Sequence, residues 1–137
     1  MLFDLGTAFM KAATIINGKS NIDINDYIKI LEAALAGVMM RGKAQRGEKT
    51  MIDAIAPAID VMKKAEDAGK TPLDILKASK DAALQGVEYT KTIIATKGRA
   101  SYLGERSIGH QDAGATSSFL ILNTIYEEVK LINESKV

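Results

Sequence analysis

Residues 24–38 read INDYIKILEAALAGV, and apolar side chains recur in this stretch at every third or fourth position. The recurring residues are Ile24, Ile28, Leu31, Leu35 and Val38. This spacing places them on one face of an α-helix. Candidate N-cap residues stand at the beginning of the stretch, namely Asn21, Asp23 and Asn25. The sequence therefore predicts an amphipathic helix that ends at Arg41-Gly42.

Two further helices are predicted on either side of this one. The helix before it carries an apolar face and ends near Asn17-Gly18. The helix after it also has an apolar face and contains Pro57, which removes one backbone hydrogen bond and is expected to bend the helix. The apolar residues are Leu5, Phe9, Ala12 and Ile16 in the first of these helices, and Ile52, Ile55, Ile59 and Met62 in the second.

The second half of the chain predicts two more helices. One starts at Thr71-Pro72, with threonine as the cap and proline in the first turn, and runs to about Thr96. The last runs from about Ala115 to Asn133. Their apolar faces consist of Leu76, Ala83, Val87 and Ile94, and of Phe119, Leu122, Ile125, Val129 and Ile132.

The whole chain is predicted to be one all-α domain, residues 1–137. No segment alternates polar and apolar residues as a strand does, so we expect an antiparallel barrel or bundle of about five amphipathic helices. The net charge of +1 gives no basic field for nucleic acid or anionic membranes. The chain has no cysteine and no apolar run as long as a membrane span, which favours a cytoplasmic protein without membrane contact.

One long stretch, residues 98–118, lacks helical periodicity and is predicted to be a loop. It contains four glycines, two arginines and the single histidine of the chain, His110. Glycine lets a backbone approach a ligand, arginine recognises phosphate, and a helix start offers N–H groups to an anion. Tyr102, Leu103 and Ile108 are expected to anchor the loop. A phosphate-bearing ligand is one interpretation, and an ordinary connection is the other.

A second glycine-containing and basic connection, residues 41–51, precedes the helix that begins near Ile52. In an up-and-down bundle the connections after the second and the fourth helix lie at the same end. We therefore expect the two connections to line one site. For the second connection alone, a solvated turn is the other interpretation of its charges.

Both connections carry motifs of a known family. The chain reads GRASYLGERSIGHQDAGATS at residues 98–117, RGKAQRGEKTMID at residues 41–53 and GTAFMKAA at residues 6–13. These motifs resemble those of the ADP-binding L subunit of dihydroxyacetone kinase, and the similarity extends over essentially the whole chain. The resemblance implies a helical barrel that binds a nucleotide at one end.

The resemblance also implies an activity and a set of nucleotide contacts. In one branch of the family, ADP stays bound as a coenzyme, a phosphoryl carrier M subunit of the phosphotransferase system converts it to ATP, and the γ-phosphoryl passes to dihydroxyacetone on a K subunit. Another branch uses free ATP. Carried over to this sequence, the nucleotide contacts are Gly42, Met51, Arg99, Asp112, Ala113 and Gly114. No catalytic side chain and no metal ligand is assigned.

The sequence departs from the family pattern in several places. Ala113 and Arg46 stand where the family usually has proline. The family's Gly-Asp-Gly-Asp-His-Gly motif, which binds magnesium, and its Gly-Gly-Ala-Ser-Gly phosphate turn do not occur in the chain. Since these motifs precede the matching part in the family, the chain is expected to be the C-terminal portion of such a transferase subunit. Phosphoryl transfer relies on metal ions, so the chain is expected to be inactive alone.

Two other functions are consistent with the same residues. One is a non-catalytic regulatory or interaction module that keeps the fold and has lost nucleotide binding. The other is a helical association module that pairs with a second copy through exposed apolar helix faces. Titration with ADP distinguishes the regulatory or interaction module from a nucleotide-binding subunit. Light scattering detects the association module, because it measures whether the chain is a monomer or a dimer.

Overall fold

The computed structural model describes Lys11 and residues 22–135, and all regular secondary structure within them is helical. Between residues 22 and 135 the α-helices are α1, Ile24–Gly42; α2, Ile52–Asp67; α3, Pro72–Thr90; and α4, Ala113–Ser135. A 3-10 segment, Arg99–Ser107, lies between α3 and α4. The all-α prediction is confirmed. The predicted helix with Leu5, Phe9, Ala12 and Ile16 falls outside the described residues.

Local capping explains where two of the helices begin. The Asp23 carboxylate accepts a hydrogen bond from the Asp26 N–H at 2.8 Å, and the Asp26 carboxylate accepts one from the Asp23 N–H at 3.3 Å. This reciprocal pair satisfies N–H groups that the first turn of α1 cannot pair. In α3, Thr71 Oγ1 accepts from the Asp74 N–H at 3.2 Å and Pro72 occupies the first turn, as predicted.

Within residues 22–135, helix α2 packs against α1, α3 and α4. Small side chains fill the interface of α2 with α3, and α4 adds Ala115 and Leu122 to the same cluster. Two further apolar clusters, one around Met62 and Ile75 and one around Val38 and Ile52, extend the core toward the two ends of α2. Alanines at the central interface allow the helix backbones to approach closely.

Helices α2 and α3 approach each other closely at Gly86. A Cβ atom built on Gly86 would lie 2.0 Å from the carbonyl oxygen of Asp53 and 2.9 Å from the Cα of Ala54. Pro57 lies inside α2 as predicted and has no N–H to donate to the Asp53 carbonyl, four residues earlier. The carbonyl of Asp53 therefore lacks its usual helical donor. A Cα–H bond of Gly86 points at this carbonyl, in the direction that a Cβ would take.

The structure corrects two of the predicted helix faces. Helix α3 ends at Thr90, not near Thr96, and Ile94 is 40% exposed. The α3 helix stops because the chain returns at its end: the Asp112 N–H donates to Thr90 Oγ1 at 3.0 Å, and the Gly109 N–H donates to the Lys91 carbonyl at 2.7 Å. Ile132, which the sequence predicts to be buried, is 50% exposed, and all of residues 131–135 at the end of α4 are exposed.

Candidate functional site

The connection between α1 and α2, residues 43–51, touches the connection between α3 and α4, residues 91–112. The ammonium group of Lys49 donates to the carbonyl oxygen of Ser107 and, at 3.3 Å, to that of Ile93. These acceptors lie 58 and 44 residues away along the chain. The two glycine-containing connections therefore meet at one end of the bundle, as predicted from the up-and-down order of the helices.

A buried carboxylate organises the first connection. Asp53, in the first turn of α2, is 3% exposed and accepts hydrogen bonds from three backbone N–H groups. The donors are Gly47 at 2.6 Å, Lys49 at 2.9 Å and Thr50 at 3.1 Å. Three donors compensate the cost of burying the charge and fix the backbone that leads into Met51. Because these N–H groups are occupied, they are not free to bind an anionic ligand.

Arg46, in the same connection, points to a different partner. Its guanidinium group forms two hydrogen bonds with the Asp60 carboxylate, at 2.7 and 3.2 Å. Both side chains are about half exposed, and the pair lowers the pKa of Asp60 through this hydrogen bond. Arg46 is therefore attached to the outer face of α2.

The second connection differs from the predicted loop. It contains the 3-10 segment Arg99–Ser107, and its three expected anchors are exposed: Tyr102 by 87%, Leu103 by 44% and Ile108 by 46%. Its buried anchor is Ser107, whose hydroxyl accepts from the Ala95 N–H at 3.0 Å and donates to the Gly104 carbonyl at 2.7 Å. Polar contacts, not apolar side chains, give this connection its shape.

Helix α4 begins beside this segment and is capped by Asp112. The Asp112 carboxylate accepts from the Ala115 N–H at 2.8 Å, and its carbonyl accepts from the Thr116 N–H at 3.0 Å. The expectation that this helix start offers its N–H groups to an anion is thus wrong for these two groups. Burial raises the pKa of Asp112, and the nearby negative charge of Asp53 adds to the effect.

Two adjoining cavities open where the connections meet. The first has a volume of about 220 Å³, and its walls include Gly42, Met51, Lys97, Asp112 and Gly114. The second has a volume of about 750 Å³ and is lined on one side by Arg99, Ala113 and His110. Gly98, Asp112 and Gly114 line both cavities.

The six residues carried over from the family are thus divided between neighbouring spaces. Gly42 and Met51 line the first cavity, Arg99 and Ala113 line the second, and Asp112 and Gly114 line both. The first cavity also has an apolar side formed by Val38, Ala44 and Ile52. The lining of this cavity also includes one basic residue, Lys97.

Sequence reasoning missed three residues of this region: Lys49, Asp53 and Lys97. Asp53 follows Lys49 by four positions at a helix start, a spacing typical of a carboxylate that caps the preceding turn. That signal was available in the sequence. The contact of Lys49 with residues on the other connection had no local signal, because it joins positions far apart in the chain.

The described residues do not form a metal site. No group of three or more histidine, cysteine, aspartate or glutamate side chains in this part of the chain could hold a metal ion. The described residues therefore offer no such group to the magnesium that the family resemblance implies. Across the same residues, no helix is both long and apolar enough to span a membrane.

Comparison with known proteins identifies relatives with named activities. The chain is 38% identical over 125 residues to the ADP-binding subunit DhaL of PEP-dependent dihydroxyacetone kinase 2 from Listeria innocua, a match that covers 91% of this chain and 57% of the relative. It is 36% identical over 120 residues to the corresponding DhaL subunit from Escherichia coli, covering 88% of this chain and 57% of that protein. An L-erythrulose 1-kinase from Mycolicibacterium smegmatis is 31% identical over 124 residues, which are 90% of this chain and 21% of the kinase.

The chain therefore spans a little over half the length of the DhaL subunits that it matches. A family model for the DAK2 domain matches residues 5–127, which is most of the chain. The match includes both connections at the end of the bundle, helices α1 to α3 and the first part of α4. The resemblance noted in the two glycine-containing motifs is confirmed, and the chain belongs to the DAK2 domain family.

Proposed function

We propose that the chain holds ADP as a bound coenzyme of a dihydroxyacetone phosphotransferase. In this function the ADP becomes ATP by phosphorylation from the M subunit of the phosphotransferase system, and the γ-phosphoryl passes to dihydroxyacetone on a partner K subunit in the cytoplasm. Relatives described as ADP-binding subunits of PEP-dependent dihydroxyacetone kinases support the proposal. The dihydroxyacetone kinase activity belongs to relatives of which this chain covers 57% of the length, so for this chain it is a proposal.

The observation that carries the proposal is the pair of cavities between the two connections. Their volumes, about 220 and 750 Å³, together are suited to a ligand the size of a nucleotide. We place the adenine against the apolar side of the first cavity, near Val38 and Met51. The phosphates then extend toward Lys97 and Arg99, whose positive charges complement them.

Within this function, the described residues bind and orient the nucleotide. Arg99 supplies a planar guanidinium group for phosphate oxygens, and the glycines at 42, 98 and 114 leave room for close approach of the ligand. No step is assigned to a metal ion held by these residues, because they do not form a metal site.

Calorimetric titration of ADP and magnesium into the chain tests nucleotide binding. We expect micromolar or tighter affinity, which corresponds to about 8 kcal/mol of binding free energy. Arg99→Ala should weaken binding by about tenfold through loss of a charged hydrogen bond. Arg106→Ala is the matched control, because Arg106 is also exposed on the 3-10 segment and lines neither cavity. Equal loss in both variants would remove Arg99 from the proposed site.

The proposed partners require a second experiment. Because the chain alone is expected to be inactive without the family's magnesium-binding motif, an L-subunit segment that carries this motif is added as well. With that segment, the K and M subunits, phosphoenolpyruvate, the general phosphotransferase proteins and dihydroxyacetone, phosphorylated product should form only when this chain is present. Absence of ADP heat together with retained binding to the K subunit would instead identify a regulatory or interaction module. Absence of both would contradict the proposed phosphotransferase function for this chain.

A further inference from the structure

The connection between α3 and α4 supplies most of the lining of the second cavity, yet apolar packing contributes little to its position. Of residues 91–112, only Ala95 and Ser107 are buried, and the larger apolar side chains of the 3-10 segment are exposed. A segment with few buried apolar contacts opens easily unless hydrogen bonds restrain it. The position of residues 91–112 around the cavity therefore depends on the hydrogen bonds of this connection.

Most of these hydrogen bonds are local. The Ala95 N–H bonds to the Ser107 hydroxyl, and the Gly109 N–H bonds to the Lys91 carbonyl, so both close the connection on itself. Asp112 is attached to the end of α3 through Thr90. Among hydrogen bonds between residues 22–135, the two from Lys49 are the ones that reach this connection from the other connection.

Lys49 is itself held in a fixed position. It is 3% exposed, and its backbone has a φ of 63°, in the left-handed region that non-glycine residues rarely adopt. Its N–H donates to the buried carboxylate of Asp53, so the first turn of α2 anchors its backbone. Because the backbone of Lys49 is fixed to the first turn of α2, its ammonium group holds the carbonyls of Ile93 and Ser107 close to the start of that helix.

We propose that Lys49 is a positioning residue that fixes the α3–α4 connection to the start of α2 and so sets the shape of the nucleotide cavity. Both of its acceptors are backbone carbonyl oxygens, and both flank the stretch that carries Gly98 and Arg99. Loss of the ammonium group leaves two carbonyls without their donor and frees the cavity wall to move. The consequence for ADP rests on the proposed function, whereas the mechanical role of Lys49 does not.

The variant Lys49→Met tests the inference, because methionine keeps a long unbranched side chain and removes the donors. We expect hydrogen exchange at the Ala95 and Gly109 amides to become about tenfold faster or more, as loss of a charged hydrogen bond implies, while exchange in the α2–α3 core is unchanged. ADP affinity should fall by a similar factor. Lys43→Met is the matched control, since Lys43 is an exposed lysine of the same connection with φ also positive, and it should change neither quantity.

Unchanged exchange at Ala95 and Gly109 in Lys49→Met would overturn the inference, as would an equal increase throughout α2 and α3. If the unmodified chain binds no ADP, the proposed function fails, and the exchange experiment still decides the role of Lys49. If Lys49→Met does not fold, native-state exchange of the unmodified chain decides it. The Ala95, Gly109 and Lys49 amides should then open together, and independent opening would contradict the proposal.

Discussion

Asp53 is the residue on which the geometry of the first connection depends. Replacement by alanine would leave the N–H groups of Gly47, Lys49 and Thr50 without their acceptor in a mostly buried setting. Each unsatisfied group costs on the order of 1–3 kcal/mol, and partial access of water to Gly47 reduces the total. We expect Asp53→Ala to lower the free energy of unfolding by about 3 kcal/mol or more, measured by urea denaturation.

A suitable control for Asp53→Ala is Asp60→Ala, about two turns further along the same helix. Asp60 is exposed and pairs with Arg46, and such surface pairs contribute roughly 0–1 kcal/mol. The control should therefore lose much less stability. If the two variants lost similar amounts, the three backbone hydrogen bonds to Asp53 would not be the source of the effect.

Asp112 should make the stability of the protein depend on pH. Burial raises its pKa in the folded state, so the unfolded chain releases the proton first, near 3.8. As the pH rises above that value, the folded state binds more protons than the unfolded state and the free energy of unfolding falls. Asp112→Asn keeps a capping oxygen and removes the titration. Relative to this variant, the unmodified chain should lose stability as the pH rises above about 3.8, as measured by urea denaturation at several pH values.

The comparison with Asp112→Asn cancels the titration of other groups, such as Asp60, whose lowered pKa has the opposite effect. A stability difference that stays constant with pH would contradict the raised pKa of Asp112. If the unmodified chain instead gained stability over Asp112→Asn as the pH rises, the pKa of Asp112 would be lowered in the folded state, not raised.

At the level of the helices, the approach of α3 to α2 depends on the absence of a side chain at Gly86. Gly86→Ala should destabilise the protein by about 1–3 kcal/mol, because the new Cβ would collide with the backbone at Asp53 and Ala54. Alanine has the higher helix propensity by about 1 kcal/mol, so propensity alone predicts the opposite sign. Thermal unfolding measures the result. Gln85→Ala, on the exposed side of the same turn, should change stability by less than about 0.5 kcal/mol.

The helix starts could be predicted from the sequence because their signals are local. Asp23 and Thr71 cap helices through residues three positions later, and both were among the predicted caps. The end of α3 at Thr90 could not be predicted in this way, since it depends on the return of residues 109–112. The 3-10 segment was missed because its larger apolar side chains are exposed and leave no periodic pattern.

At the level of the whole molecule, the order of helices was enough to predict that the two connections meet. The position of the six family-derived residues around adjoining cavities follows from the same arrangement. What the sequence did not indicate is how the connections are held together. The bonds from the Lys49 ammonium group join residues that are far apart in the sequence, so only the folded bundle brings them together.

The bundle as a whole depends on α4 packing against α2 and α3 through one face. Leu122 is 4% exposed within the central cluster, whereas Leu120, two positions earlier, is 54% exposed. Leu122→Ala should lower the free energy of unfolding by about 2–5 kcal/mol, a large part of the 5–15 kcal/mol typical of a whole domain. Leu120→Ala, the same chemical change on the other side of the helix, should have an effect below about 1 kcal/mol. Urea denaturation followed by circular dichroism measures both. Comparable losses would mean that Leu120 is also buried in solution, so that the exposed face of α4 is covered there.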